Sequence, residues 1–199
     1  MQLDEHWIRE TWARQLTDAD VIEPSTVVFV VTGDHDLDNV EMAYLPPNGH
    51  DLPYEVLRRV GDVRLHEYNG LHRFAIFQTV RDGSLGGFAA MLRHELRHAE
   101  QFHRYGPGLF ELDGHLRAAL DVHTRAAERD RYEAIPAEYD ANRVAAAYAR
   151  HHHHDELEAL AADERFVAYA FDDYDSRADD LLEATVQAVH EHVDLNTLW

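Results

Sequence analysis

Residues 86–107 read Gly-Gly-Phe-Ala-Ala-Met-Leu-Arg-His-Glu-Leu-Arg-His-Ala-Glu-Gln-Phe-His-Arg-Tyr-Gly-Pro, and this stretch decides how the chain is built. Phe88, Met91 or Leu92, Leu96, Ala99 and Phe102 recur at helical spacing and predict an apolar stripe facing a core. Gly106 and Pro107 end the run, because glycine accepts the left-handed cap and proline cannot continue a helix. The stretch predicts one amphipathic helix of about five turns. Inside it, residues 94–98 spell His-Glu-Leu-Arg-His. His94 and His98 then lie one turn apart on the same helical face, where both imidazoles can reach a single ion. Glu95 sits beside the first of them, placed to deprotonate a water that such an ion activates.

The five letters need support from their surroundings. With 16 histidines and 38 acids in 199 residues, shuffling the composition still yields roughly 0.1 such matches per chain. Two histidines also leave a catalytic zinc short of its usual three protein ligands. The extended HExxHxxGxxH pattern of the metzincins does not supply the third, because position 101 is Gln, position 104 is Arg, and His103 falls one residue early. A downstream helix does offer one. Pro136 suits a helix start, Glu138 follows in the first turn, and Val144, Ala145, Tyr148 and Ala149 continue the helical pattern. His115, His123 and Asp140 are competing third donors; the first two share a face of the intervening helix.

With His94, Glu95, His98 and Glu138 in place, residues 85 to 150 resemble the gluzincin class of zinc metallopeptidases, in which HExxH on one helix is completed by a Glu on a later one. The resemblance implies a single zinc ion held by His94, His98 and Glu138, with Glu95 as general base in peptide-bond hydrolysis. It also implies an orienting acid four residues after the ligand Glu. Here that position is Asn142, whose amide oxygen can accept an imidazole N–H but lacks the charge that raises ligand basicity. Small Ala141 and Ala145 beside Glu138 let the two helices approach. Tyr132, Tyr139, His123 and Arg143 are the candidate donors to a developing oxyanion. The alternative is a non-catalytic zincin-like domain with a structural metal or a protein-binding role, since a fold does not guarantee its chemistry.

Composition narrows the classes. With 199 residues and 45% hydrophobic content, one domain spanning 1–199 is expected: a helix-plus-sheet portion over 1–84, metal-site helices over 85–150 and bracing helices over 151–199. The absence of cysteine excludes disulfides and thiolate ligands, leaving histidine and carboxylate donors. The formal charge is -20, and all 18 basic residues are arginine. Such a surface repels phosphate backbones, so the expected partner is a peptide or protein substrate and not nucleic acid. A charged N-terminus and the lack of a long apolar run predict a cytoplasmic protein with no membrane segment.

The remaining segments predict an α+β fold, with a small mixed or antiparallel N-terminal sheet packed on a mainly helical C-terminal part in a zincin-like arrangement. Residues 4–17 predict a short helix, and Ser25 to Thr32 a buried strand bounded by Pro24 and Gly33. Residues 33–38 read as a solvated turn, 40–46 as an edge strand and 54–60 as a brief helix. Val63 to Tyr68 and Leu71 to Val80, separated by Asn69-Gly70, predict a hairpin. Because the second of these strands leads into the HExxH helix, the zincin resemblance places a peptide-binding edge near Phe74 to Thr79. Leu109 to Arg131 predicts a second long helix, and Asp155 to Asp163 and Ser176 to Val193 two more. His151 to His154, at the end of the Glu138 helix, reads as a dipole-favoured surface cluster.

Overall fold

The computed structural model of the protein describes residues 22, 26–32, 42–47, 70–77, 84–119, 132–133, 135–171 and 174. The expected helices at 4–17, 54–60 and 176–193, the loop at 33–38 and the strand at 63–68 lie outside the described residues. Three strands form one sheet: β1 (Val27–Thr32), β2 (Met42–Leu45) and β3 (His72–Phe77), in the order β1-β3-β2. β1 runs parallel to β3 with Phe29 opposite Phe74, whereas β2 runs antiparallel with Tyr44 opposite Phe74. The sheet is therefore mixed. Among the described residues no helix is long and apolar enough to cross a membrane.

β3 is the central strand, and this corrects two expectations. Between Arg73 and Ile76 both of its hydrogen-bonding sides are taken, one by β1 and one by β2, so it is not half of a hairpin with 63–68 along that span. Gly70 does adopt a positive φ of 103° before the strand, a conformation that glycine accepts without steric cost. For the same reason Phe74 to Ile76 offers no open edge to a peptide, and residues 78 and 79 of the expected edge lie outside the described residues. Periodicity could not foresee this, because alternation reports which face of a strand is buried and not which strands lie beside it.

The helices are α1 (Leu85–Tyr105), α2 (Gly108–Ala119), α3 (Pro136–His152) and the short α4 (Leu157–Ala162), with 3₁₀ turns at His154–Glu156 and Val167–Ala170. The helix expected over 109–131 is described only as far as Ala119. α1 begins where the Ser84 hydroxyl accepts from the Gly87 N–H at 3.0 Å. It ends at Gly106, whose N–H reaches the Phe102 carbonyl at 2.8 Å with φ at 71°. Glu156 supports the same N-terminus by accepting from the Gly86 N–H at 3.0 Å.

α1 is more central than one apolar stripe implies, because it packs against α3, β2, α2 and the Val167–Ala170 turn. Phe88, Met91, Leu92, Leu96 and Ala99 are buried, and so are His94, Glu95, His98, Glu100 and Gln101 on other faces. On α3, the stripe Ala141, Ala145 and Ala149 is fully buried and keeps the backbone of that helix close to α1. A single cluster links Phe29, Tyr44 and Phe74 of the sheet to Phe88, Leu92 and Leu96 of α1 and to Phe166 and Tyr169 beyond α4. Burying each such side chain contributes about 1.5–3 kcal/mol.

Candidate metal centre

Three side chains from two helices converge. α1 contributes His94 and His98 from one face, and α3 contributes Glu138 from its first turn, where Pro136 starts the helix and the dipole favours an acid. His94 Nε2 and His98 Nε2 are 3.1 Å apart. Glu138 Oε2 lies 3.2 Å from His94 Nε2, and its Oε1 lies 3.5 Å from His98 Nε2. A tetrahedral ion bound at about 2.0–2.1 Å separates its donor atoms by roughly 3.3 Å, so these residues fit such an ion. Their exposures are 3%, 7% and 3%, and among the described residues they are the one group of His, Asp or Glu donors close enough to share a metal.

The charges around the group explain how a carboxylate stays ionised there. Burial alone would raise the Glu138 pKa, but the Arg117 guanidinium and the two histidines overcome it and hold the carboxyl well below its usual range. Burial likewise disfavours the imidazolium of His98, yet Glu138 and then Glu95 lift its pKa to about 9. Arg117 comes from α2, donates to Glu138 Oε1, and donates through Nε to Asp113 at 2.7 Å. Burial keeps Asp113 above the ordinary carboxylate range in spite of that contact.

Glu95 is 8% exposed, and its Oε2 accepts from the Tyr44 backbone N–H at 2.8 Å. Tyr44 turns this N–H away from β3, as at the non-hydrogen-bonded positions of an antiparallel pair. The HExxH carboxylate is thus tied to β2, a terminal strand of the described sheet that packs on α1.

The other candidates separate clearly. Tyr132 donates its hydroxyl to Glu138 Oε2 and belongs to the site. Tyr139 donates to the Tyr174 carbonyl instead, and Arg143 is half-exposed and pairs with Asp140 at 3.2 Å, so neither reaches the three donors. His115 is exposed on α2, and His123 lies outside the described residues. Asp140 is not a third ligand: its Oδ2 accepts from Arg97 Nε at 2.7 Å and from Gln101 Nε2 at 3.0 Å. Asn142 is buried, but its Oδ1 takes no hydrogen bond among the described residues, so the amide does not orient His94. Of the His151 to His154 tract, His153 pairs with Glu156 at 3.3 Å and His154 is exposed.

Two residues of the site were missed by sequence reasoning. Arg117 carries no motif, and only the return of α2 against α3 brings it to Glu138. In the sequence Gln101 stands only as the position where a metzincin pattern fails. Its place three residues after His98, on the same face, was the signal that could have found it.

No protein-family model, curated protein or solved structure matches this chain.

Proposed function

We propose that the protein is a zinc-dependent metallopeptidase. The observation that carries this reading is the meeting of His94 Nε2, His98 Nε2 and the Glu138 carboxylate within 3.1–3.5 Å, next to a second buried carboxylate at Glu95. Two imidazoles and one carboxylate, with no fourth protein donor beside them among the described residues, form the donor set of an open catalytic zinc site. When bound there, zinc supplies Lewis acidity and brings the pKa of a water to about 7.

Glu95 would act as the general base toward a nucleophilic water and return the proton to the leaving amine. The Tyr44 N–H orients its carboxylate for this role. Tyr132, whose single hydroxyl proton goes to Glu138, would serve as the donor to the developing oxyanion once it turns from that carboxylate. A peptide substrate lies along β2, next to α1, and not along β3. An aqueous intracellular location fits the charge and the lack of apolar runs.

Zinc stoichiometry of the purified protein and of Glu138→Ala, together with hydrolysis of a mixed peptide pool, tests the reading. We expect one zinc per chain, loss of that zinc in Glu138→Ala, and peptide cleavage that a chelator abolishes and added zinc restores. Unchanged zinc affinity in Glu138→Ala would remove Glu138 as a ligand. One observation favours a non-catalytic reading: the Arg117 guanidinium already neutralises Glu138. A zinc-loaded protein that cleaves no member of the pool would support that alternative.

A further inference from the structure

Gln101 makes three contacts whose donors and acceptors can be assigned without ambiguity. One end of its amide faces the Ala137 carbonyl at 3.0 Å and the Asp140 carboxylate at 3.0 Å. Both of those groups accept only, so the end facing them must be the NH₂. The oxygen is therefore the end that faces His98 Nδ1 at 2.9 Å. An amide oxygen cannot donate, so His98 Nδ1 carries the proton, and in the neutral ring Nε2 keeps its lone pair. That is the nitrogen 3.1 Å from His94 Nε2 and 3.5 Å from Glu138.

We propose that Gln101 is a positioning residue that holds His98 in its Nδ1–H tautomer, with Asp140 and the Ala137 carbonyl setting the polarity of the amide. Arg97 completes the chain of contacts. It donates through Nε to the same Asp140 oxygen and through Nη1 to Glu100 at 2.8 Å, which anchors the carboxylate that anchors the amide. The site thus steadies its second histidine through a neutral side chain, while the Asn142 Oδ1 accepts no hydrogen bond among the described residues. Gln101 is 3% exposed and both partners of its NH₂ come from α3, so the docking of α3 on α1 delivers Glu138 and orients His98 together. This inference rests on the metal-centre reading for its consequence but not for its geometry.

The experiment combines zinc affinity, measured by competition with a chromophoric chelator, and nitrogen NMR of the histidine rings in the full chain. Gln101→Met keeps the shape and removes the hydrogen bonds; its zinc affinity should fall about 10–100-fold. Asp140→Leu, which removes that acceptor, should lower the affinity in the same direction. The zinc-loaded wild type should show a His98 Nδ1–H protected from exchange and Nε2 as the ligand. Wild-type zinc affinity in Gln101→Met would overturn the proposal, as would a proton on His98 Nε2. Wild-type zinc affinity in Asp140→Leu would overturn the acceptor role given to Asp140. If the wild type binds no zinc, the metal-centre reading fails, and the tautomer is then read in alkaline solution where the ring is neutral. Nδ1–H dominance in wild type that is lost in Gln101→Met would sustain the proposal, and equal tautomer mixtures in both would overturn it.

Discussion

The backbone N–H of Tyr44 donates to Glu95 Oε2 at 2.8 Å, so a strand of the sheet holds the acidic residue of the HExxH sequence in place. Two substitutions separate its chemical role from its structural one. Glu95→Gln keeps an acceptor for the Tyr44 N–H and cannot take a proton. We expect normal zinc content, an unchanged Tm and peptide hydrolysis reduced about 100-fold or more. Glu95→Ala leaves the Tyr44 N–H buried without that acceptor and should also lower stability by about 1–3 kcal/mol, read by urea unfolding. Full hydrolytic activity in Glu95→Gln would sink the proposed mechanism.

Arg117 and Glu138 form a second such tie, from α2 to α3. Replacing Arg117 with Met removes the cation beside a buried carboxylate and should cost the metal-free protein about 3–5 kcal/mol. A bound dication replaces much of the missing charge, so zinc should raise the Tm of Arg117→Met by more than it raises that of the wild type. Calorimetric scans with and without zinc test this, and equal increments would show that Arg117 and the metal do not share Glu138.

His72 sets an expected pH dependence. Burial, and then the like charge of His103, lower its pKa from 6.5 to about 4. The Tyr44 hydroxyl is 2.8 Å from His72 Nδ1, and burial holds that phenol protonated, so the hydroxyl donates and the neutral ring accepts. Because the folded pKa lies below the unfolded one, the unfolded chain takes up the proton first. This contribution to stability is intact above pH 6.5 and is lost as pH falls towards 4. His72→Gln, which retains an acceptor, should flatten the stability profile in that window; a profile identical to wild type would exclude His72 as its source.

Gly87 is a position where the absence of a side chain matters. A Cβ there would stand 2.6 Å from the Phe166 ring, which is itself 1% exposed. Alanine would gain up to about 1 kcal/mol in helix propensity, but overpacking typically costs about 1–3 kcal/mol. Gly87→Ala should therefore lower the Tm, and adding Phe166→Leu should recover part of the loss. A stabilised Gly87→Ala would mean that Phe166 moves aside freely.

Much of the local structure was legible in the chain. The apolar spacing from Phe88 to Phe102, the stop at Gly106-Pro107 and the start at Pro136 act through a few neighbouring residues, and α1 and α3 follow from them. So does the shared face of His94 and His98, which helical geometry imposes once the helix exists. The β-branched run before Gly33 likewise yielded β1. The sheet order was not legible, because strand pairing depends on which segments meet and not on their own alternation; β3 therefore proved central although its sequence looked like half of a hairpin. The rest of the site has the same origin. Glu138 was a first-turn acid among several donors until the packing of α3 on α1 set it 3.2 Å from His94. Arg117 and Tyr132 met Glu138, and Gln101 met the Ala137 carbonyl, only through contacts between separate elements. Sequence alone determined which residues share a helical face, because that geometry is local. Tertiary structure alone decided which buried charges and hydrogen-bonding groups face one another, because in a packed interior each must find its partner across the core.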